Sequence, residues 1–195
     1  MPRAGIDDAW LSVPSSRFCP FGLTGGSLSR GIRRSEHLPA LSCRGCIRDP
    51  DDHTWLAAFM SEAWENDEAE YAAGIAHSIS KSWNAVHDLY AAADALCTDA
   101  DEPWNLPIYG GRPVLHSADA NPSDPPLMLL EPPGVSQAAQ FLTTVSFDEL
   151  WNVVEARFSA LGWTKQEHLE HHRDLQEFYG QAASAGHAVV KAVWA

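Results

Sequence analysis

The stretch "LQEFYGQAASAGHAVVKAVW", residues 175–194, changes its hydrophobic spacing partway along. Leu175, Phe178, Tyr179 and Ala182 fall on one face of a helix, and Gly186 is where that helix should stop. Beyond the glycine, "AVVKAVW" is short and β-branched, the pattern of a terminal strand. A helix that runs straight into a strand calls for a mixed fold, in which amphipathic helices cover a small sheet.

Working back from this junction, the helix starts are marked by a repeated device. Thr164 with Glu167, and Ser146 with Glu149, are capping boxes: the hydroxyl accepts an otherwise unmet amide hydrogen three residues on. Behind Ser146, the residues Phe147, Leu150, Val154, Phe158 and Leu161 supply an apolar face. Val135, Ala138, Ala139 and Leu142 predict a further short helix, and "LMLLE", bounded by proline pairs, reads as a buried strand. Residues 98–126 carry prolines and a Gly-Gly pair and predict a long loop, with a short strand at Val114–His116.

Earlier in the chain, Trp83, Val86, Tyr90, Ala93 and Cys97 recur at steps of three and four, behind a cap at Ser80 or Ser82. Trp55, Leu56, Phe59, Met60, Ala63 and Trp64 form another stripe, started by Asp51 or Asp52. Before Asp49 the character changes. Residues 1–49 hold seven of the 13 basic residues and four of the 26 acidic ones, which leaves six against 22 in residues 50–195. The segment "VPSSRFCPFGLTGGSLSRGIRRSEHLPALSCRGC" sustains no period and predicts loops and disorder, and a wrongly chosen coding start would produce the same composition. Residues 1–48 are therefore expected to be an irregular leader and residues 49–195 the folded domain.

The whole chain, at 195 residues and 45% apolar content, is long enough for one domain with its own core. It has no apolar run of membrane-spanning or signal-peptide length, which points to the cytoplasm. The net charge of −13 opposes a nucleic-acid backbone and suits a basic protein partner. Cys19, Cys43, Cys46 and Cys97 are too few and too clustered for a disulfide framework. Cys43 and Cys46, with His53 and either Cys19 or His37, lack the second paired half of a zinc knuckle.

Read in order, "SKSWNAVH", "PIYGG", "LLEPPGVSQAAQFL", "SFDEL" and "LQEFYGQAASAGHAVV" resemble the family of bacterial domains of unknown function typified by YfbM, over roughly residues 49–195. The resemblance implies a compact α+β domain, several helices on a small sheet, and carries over no catalytic residues or cofactor. It also implies an apolar strand before the first helix. None is visible in "LPALSCRGCIRDP", and without it a sheet edge would lie open.

Two stretches hold the candidate site. In "ISKSWNAVHDLYAAAD", residues 79–94, Trp83 and His87 are four apart and share a helix face, with Lys81 near the helix start. As a site, His87 would be an acid, a base or a ligand-binding group beside an aromatic platform, and Lys81 a charge for an anion. As structure alone, Trp83 is core, His87 half-buried and Lys81 a surface charge. In "PWNLPIYGG", Trp104 and Tyr109 sit in a loop beside Gly110 and Gly111, with Arg112 next, an arrangement suited to a binding surface. His168 and His172 have the i, i+4 spacing of helical zinc ligands but no third ligand, and His172 also continues the stripe toward Leu175.

No nucleophile elbow, phosphate loop or dinucleotide fingerprint is present. The expectation is a non-catalytic binding module without a cofactor, with a groove between the Trp83 helix and the Gly110 loop. Its rival is a small enzyme for an anionic substrate, with His87 as acid or base and Lys81 and Arg112 stabilising charge.

Overall fold

The protein was analysed as a computed structural model, which describes residues 8–13, 71–74, 76–79, 82–96, 103–114 and 127–193. Five strands form one sheet: β1 (Asp8–Val13), β2 (Ala76–His77), β3 (Arg112–Val114), β4 (Leu127–Leu130) and β5 (Ala188–Val193). Their order across the sheet is β2-β1-β5-β4-β3, and every neighbouring pair is antiparallel. The described α-helices are α1 (Trp83–Ala91), α2 (Pro132–Thr144), α3 (Phe147–Ala160) and α4 (Lys165–Ser184). The fold is α+β, as the helix-to-strand junction implies.

Local sequence accounts for most boundaries. Ser146 and Thr164 each accept the amide hydrogen three residues on, from Glu149 and Glu167, so both caps form. Pro132 occupies the first turn of α2, where its missing N–H costs nothing. Ser82 does sit at the N-cap of α1, but with helical backbone angles its side chain makes no capping bond. The α4 helix ends at Ser184, two residues before Gly186.

Strand β5 is central, and its side chains alternate between two apolar clusters. Val189 joins Leu130 and the helix side chains in the main core, whereas Ala188, Val190 and Ala192 pack with Leu127, Leu129, Val114 and Ala76 on the other face. Into the main core the helices deliver Val86, Leu89 and Tyr90 from α1, Leu142 from α2, Leu150 and Phe158 from α3, and Leu175 and Tyr179 from α4, all at most 1% exposed. Burial of each such leucine, valine or phenylalanine contributes about 1.5–3 kcal/mol. Trp83, also expected in the core, is only partly buried against it.

Two expectations need correction. Residues Asp8–Val13 lie in the leader that was expected to be irregular, yet they form β1, between β2 and β5. The register pairs Trp10 with Lys191 and Leu11 with Val190, so the partner strand lies at the far end of the chain and leaves no local trace. With β1 in place, the edges of the described sheet are β2 and β3. The described strand runs over Arg112–Val114 and so begins two residues before the short strand expected at Val114–His116, whose last two residues lie outside the described ones. The Trp55 to Trp64 stripe, the four cysteines, His37, His53 and Lys81 lie outside the described residues.

Candidate functional site

The loop carrying Trp104 and Tyr109 is ordered by its own backbone. Pro103–Asn105 make one turn of 3-10 helix, and the Asn105 carbonyl accepts from the amides of both Tyr109 and Gly110. This closure brings Gly110 against the backbone of Leu106, where a Cβ would stand 2.5 Å from the Leu106 Cα. Gly111 follows with φ +116°, which carries the chain past the Leu129 carbonyl and into β3. Both glycines are thus required by geometry.

Two buried side chains grip this turn from beneath. Lys191, fully buried on β5, donates from Nζ to the Leu106 carbonyl at 2.6 Å. Tyr179, fully buried on α4, donates from Oη to the adjacent Pro107 carbonyl at 2.7 Å. Burial depresses Lys191 to about 7 and pushes the Tyr179 phenol well above its usual value, with Tyr90 nearby adding to the latter.

Above the grip, the turn packs on α1. The His87 and Tyr109 rings meet edge to face at 4.5 Å, Trp83 and Tyr109 at 5.6 Å, and His87 and Trp104 lie tilted at 5.4 Å. Four of the candidate residues, drawn from two separate stretches, are therefore one ring cluster, with each residue partly exposed. The groove expected between helix and loop is a packed seam at these side chains. Within it His87 Nδ1 and Trp104 Nε1 are buried and have no hydrogen-bond partner among the described residues. Burial lowers the His87 pKa, against a smaller opposing pull from Asp88, so its ring is neutral at pH 7. Asp88 itself pairs with Arg157 on α3 at 3.3 Å. Arg112 opens β3, just past the glycine pair.

The two histidines with zinc-ligand spacing are engaged in packing. His168 Nδ1 lies 3.1 Å from the Thr164 carbonyl and must donate to it, which leaves Nε2 as an acceptor among Trp151, Phe158 and Trp163. His172 Nδ1 meets the Tyr90 hydroxyl at 3.2 Å, and its ring lies against Phe147. Burial lowers both pKa values, that of His172 to about 4. Among the described residues no group of three or more histidine, cysteine, aspartate or glutamate side chains could hold a metal ion. His172 Nδ1 is taken by the Tyr90 hydroxyl, and His168 Nε2 is enclosed by aromatic rings.

Lys191 is the residue at this site that motif and spacing do not single out. Its signal is a single lysine inside the apolar run "AVVKAVW", on a strand where Val189, Val190 and Ala192 are all buried. A second polar contact, Ser12 Oγ to His187 Nδ1 at 2.7 Å, pins β1 to the start of β5. No described helix is long and apolar enough to cross a membrane.

Comparison with known proteins places the chain without assigning it chemistry. No curated protein and no solved structure matches it. A family model described as Domain of unknown function (DUF1877) matches residues 44–191, a span that contains the aromatic turn and all four described α-helices, and the YfbM-like resemblance agrees with it. The chain belongs to the DUF1877 family.

Proposed function

We propose that the protein is a non-catalytic binding module of the cytoplasm, and that Trp83, His87, Trp104 and Tyr109 form its recognition surface. One observation carries this reading. Side chains from a helix and from a loop converge into a single, partly exposed cluster of rings. Rigid aromatic rings give contact area at little entropic cost. Gly110 and Gly111 belong to the surface as the bend that presents Tyr109. The net charge of −13 favours a basic protein as the partner, since opposite charges speed encounter and reject acidic competitors.

The test is capture from a bacterial lysate at low and high salt, with the native chain beside a Trp104→Ala, Tyr109→Ala double variant. Recovery of one basic protein by the native chain, lost at high salt and lost in the variant, supports the reading. A native chain that stays a clean monomer at both salt concentrations counts against it.

The enzymatic alternative draws on one feature, the neutral and partly exposed His87 ring, which suits a proton acceptor. Arg112 and Lys81 would supply its positive charge. Turnover of a small anionic substrate that disappears in His87→Gln would move the assignment to this class.

A further inference from the structure

We propose that Lys191 and Tyr179 form a latch under the aromatic turn, and that the proton on Lys191 sets how firmly the turn is held. The inference takes the turn as the recognition element proposed above, but its measurements need no ligand.

The geometry is specific. Consecutive carbonyls, Leu106 and Pro107, are each gripped by a side chain from a different layer, Lys191 from the central strand and Tyr179 from α4. Both side chains are fully buried, although Leu106 itself is partly exposed. The same turn carries Trp104 and Tyr109 on its outer side, in contact with His87. An ammonium donates a charge-assisted bond roughly twice as strong as that of a neutral amine. That gain is outweighed by the cost of burying the ammonium, which opening the turn would return to water, so losing the proton tightens the closed turn and leaves the Tyr179 bond in place.

Among the described residues, the surroundings of Lys191 contain little else that titrates near neutrality, and His77, beyond Trp10 in the same row of the sheet, falls to about 4. Tyr179 faces it from α4 and Tyr90 lies beyond on α1, and burial keeps both phenols protonated. Across the sheet its register partners are Trp10 on β1 and Met128 on β4, both uncharged. The nearest acidic register position is Asp8, opposite Val193. Since burial brings Lys191 to about 7, both of its proton states are populated in the range a cell uses.

The experiment is hydrogen exchange on the full chain from pH 5.5 to 9, corrected for the intrinsic rate, at the amides of residues 104–110. Protection in the native chain is expected to be level below pH 7 and to step up about tenfold between pH 7 and 8. In Lys191→Met the step should vanish, and in His87→Gln it should persist, which separates the lysine from the nearby imidazole. A native profile without the step, or a step that survives Lys191→Met, overturns the proposal. Should Lys191→Met fail to fold, the side-chain nitrogen of Lys191 can be followed by NMR in the native chain. A midpoint near 7 supports the latch, and one near the ordinary lysine value overturns it. None of these outcomes depends on whether a partner is found, so the latch and the binding reading stand or fall separately.

Discussion

The hydroxyl of Tyr179 reaches from α4 to the carbonyl of Pro107, 72 residues earlier in the chain, and bonds to it at 2.7 Å with no solvent exposure. This single bond ties the last helix to the turn that carries Trp104 and Tyr109. Tyr179→Phe keeps the ring and removes only the donor. The expected cost is about 1–3 kcal/mol, the range for withdrawing one partner of a buried hydrogen bond. Urea unfolding should show a lower midpoint with an unchanged slope, since the surface exposed on unfolding is the same.

Acid should destabilise the protein through its buried histidines. His172 and His77 both fall to about 4, chiefly through burial, from an unfolded value near 6.5. Each folded pKa is depressed, so the unfolded chain binds the extra protons. Stability is complete above pH 6.5 and is lost as pH falls toward 4. For His172, at 3% exposure, the loss is roughly 3 kcal/mol, at about 1.4 kcal/mol per pKa unit. His172→Gln should flatten this part of the pH profile measured by urea unfolding at pH 7, 5.5 and 4.5, and a profile of unchanged slope would contradict the burial of a neutral ring.

Lys191 extends the same logic to the alkaline side. Its folded pKa of about 7 lies below the ordinary 10.5, so stability should climb as pH rises from 7 to 10.5 and be level below 7. Burial of the ammonium is what costs stability on the acidic side, even though the ammonium makes the stronger bond to Leu106. In Lys191→Met the climb should disappear. At pH 7 the variant is expected within about 2 kcal/mol of the native chain, because removing the buried charge offsets the lost hydrogen bond. Thermal or urea unfolding across pH 6–10 measures both effects.

How much of this is legible in the chain depends on the range of the interaction. The caps at Ser146 and Thr164, the proline-bounded strand Leu127–Leu130 and the helix end before Gly186 are encoded within four or five residues, and the structure has each of them. Strand β1 is not legible, because its six residues have meaning only against β5 at the far end of the chain. Trp83 and His87, and separately Trp104 and Tyr109, can each be singled out by spacing and composition. That they form one cluster depends on the turn closing over Asn105 and on Lys191 and Tyr179 below it, and the last two lie 85 and 72 residues from the carbonyls they hold, beyond any local window. The i, i+4 histidines are ambiguous in the sequence for the opposite reason: the same spacing also places His168 and His172 on the buried stripe, among aromatic neighbours.

A pair of substitutions of similar cost should separate the turn from the rest of the fold. Thr164→Ala removes the cap of α4 and is expected to cost about 1 kcal/mol. Gly110→Ala would place a Cβ 2.5 Å from the Cα of Leu106, a backbone atom that cannot move without opening the turn. Its expected cost is about 1–3 kcal/mol, stored as local strain or released by displacement of residues 105–110. Near-UV circular dichroism reads the difference, because it reports tryptophans held in fixed surroundings. The Thr164→Ala spectrum should match the native one at 25 °C, whereas Gly110→Ala should lose the signal contributed by Trp83 and Trp104. Identical spectra for the two variants would mean that the ring cluster does not depend on the closure of the turn, and the reading of Gly110 as its hinge would fall.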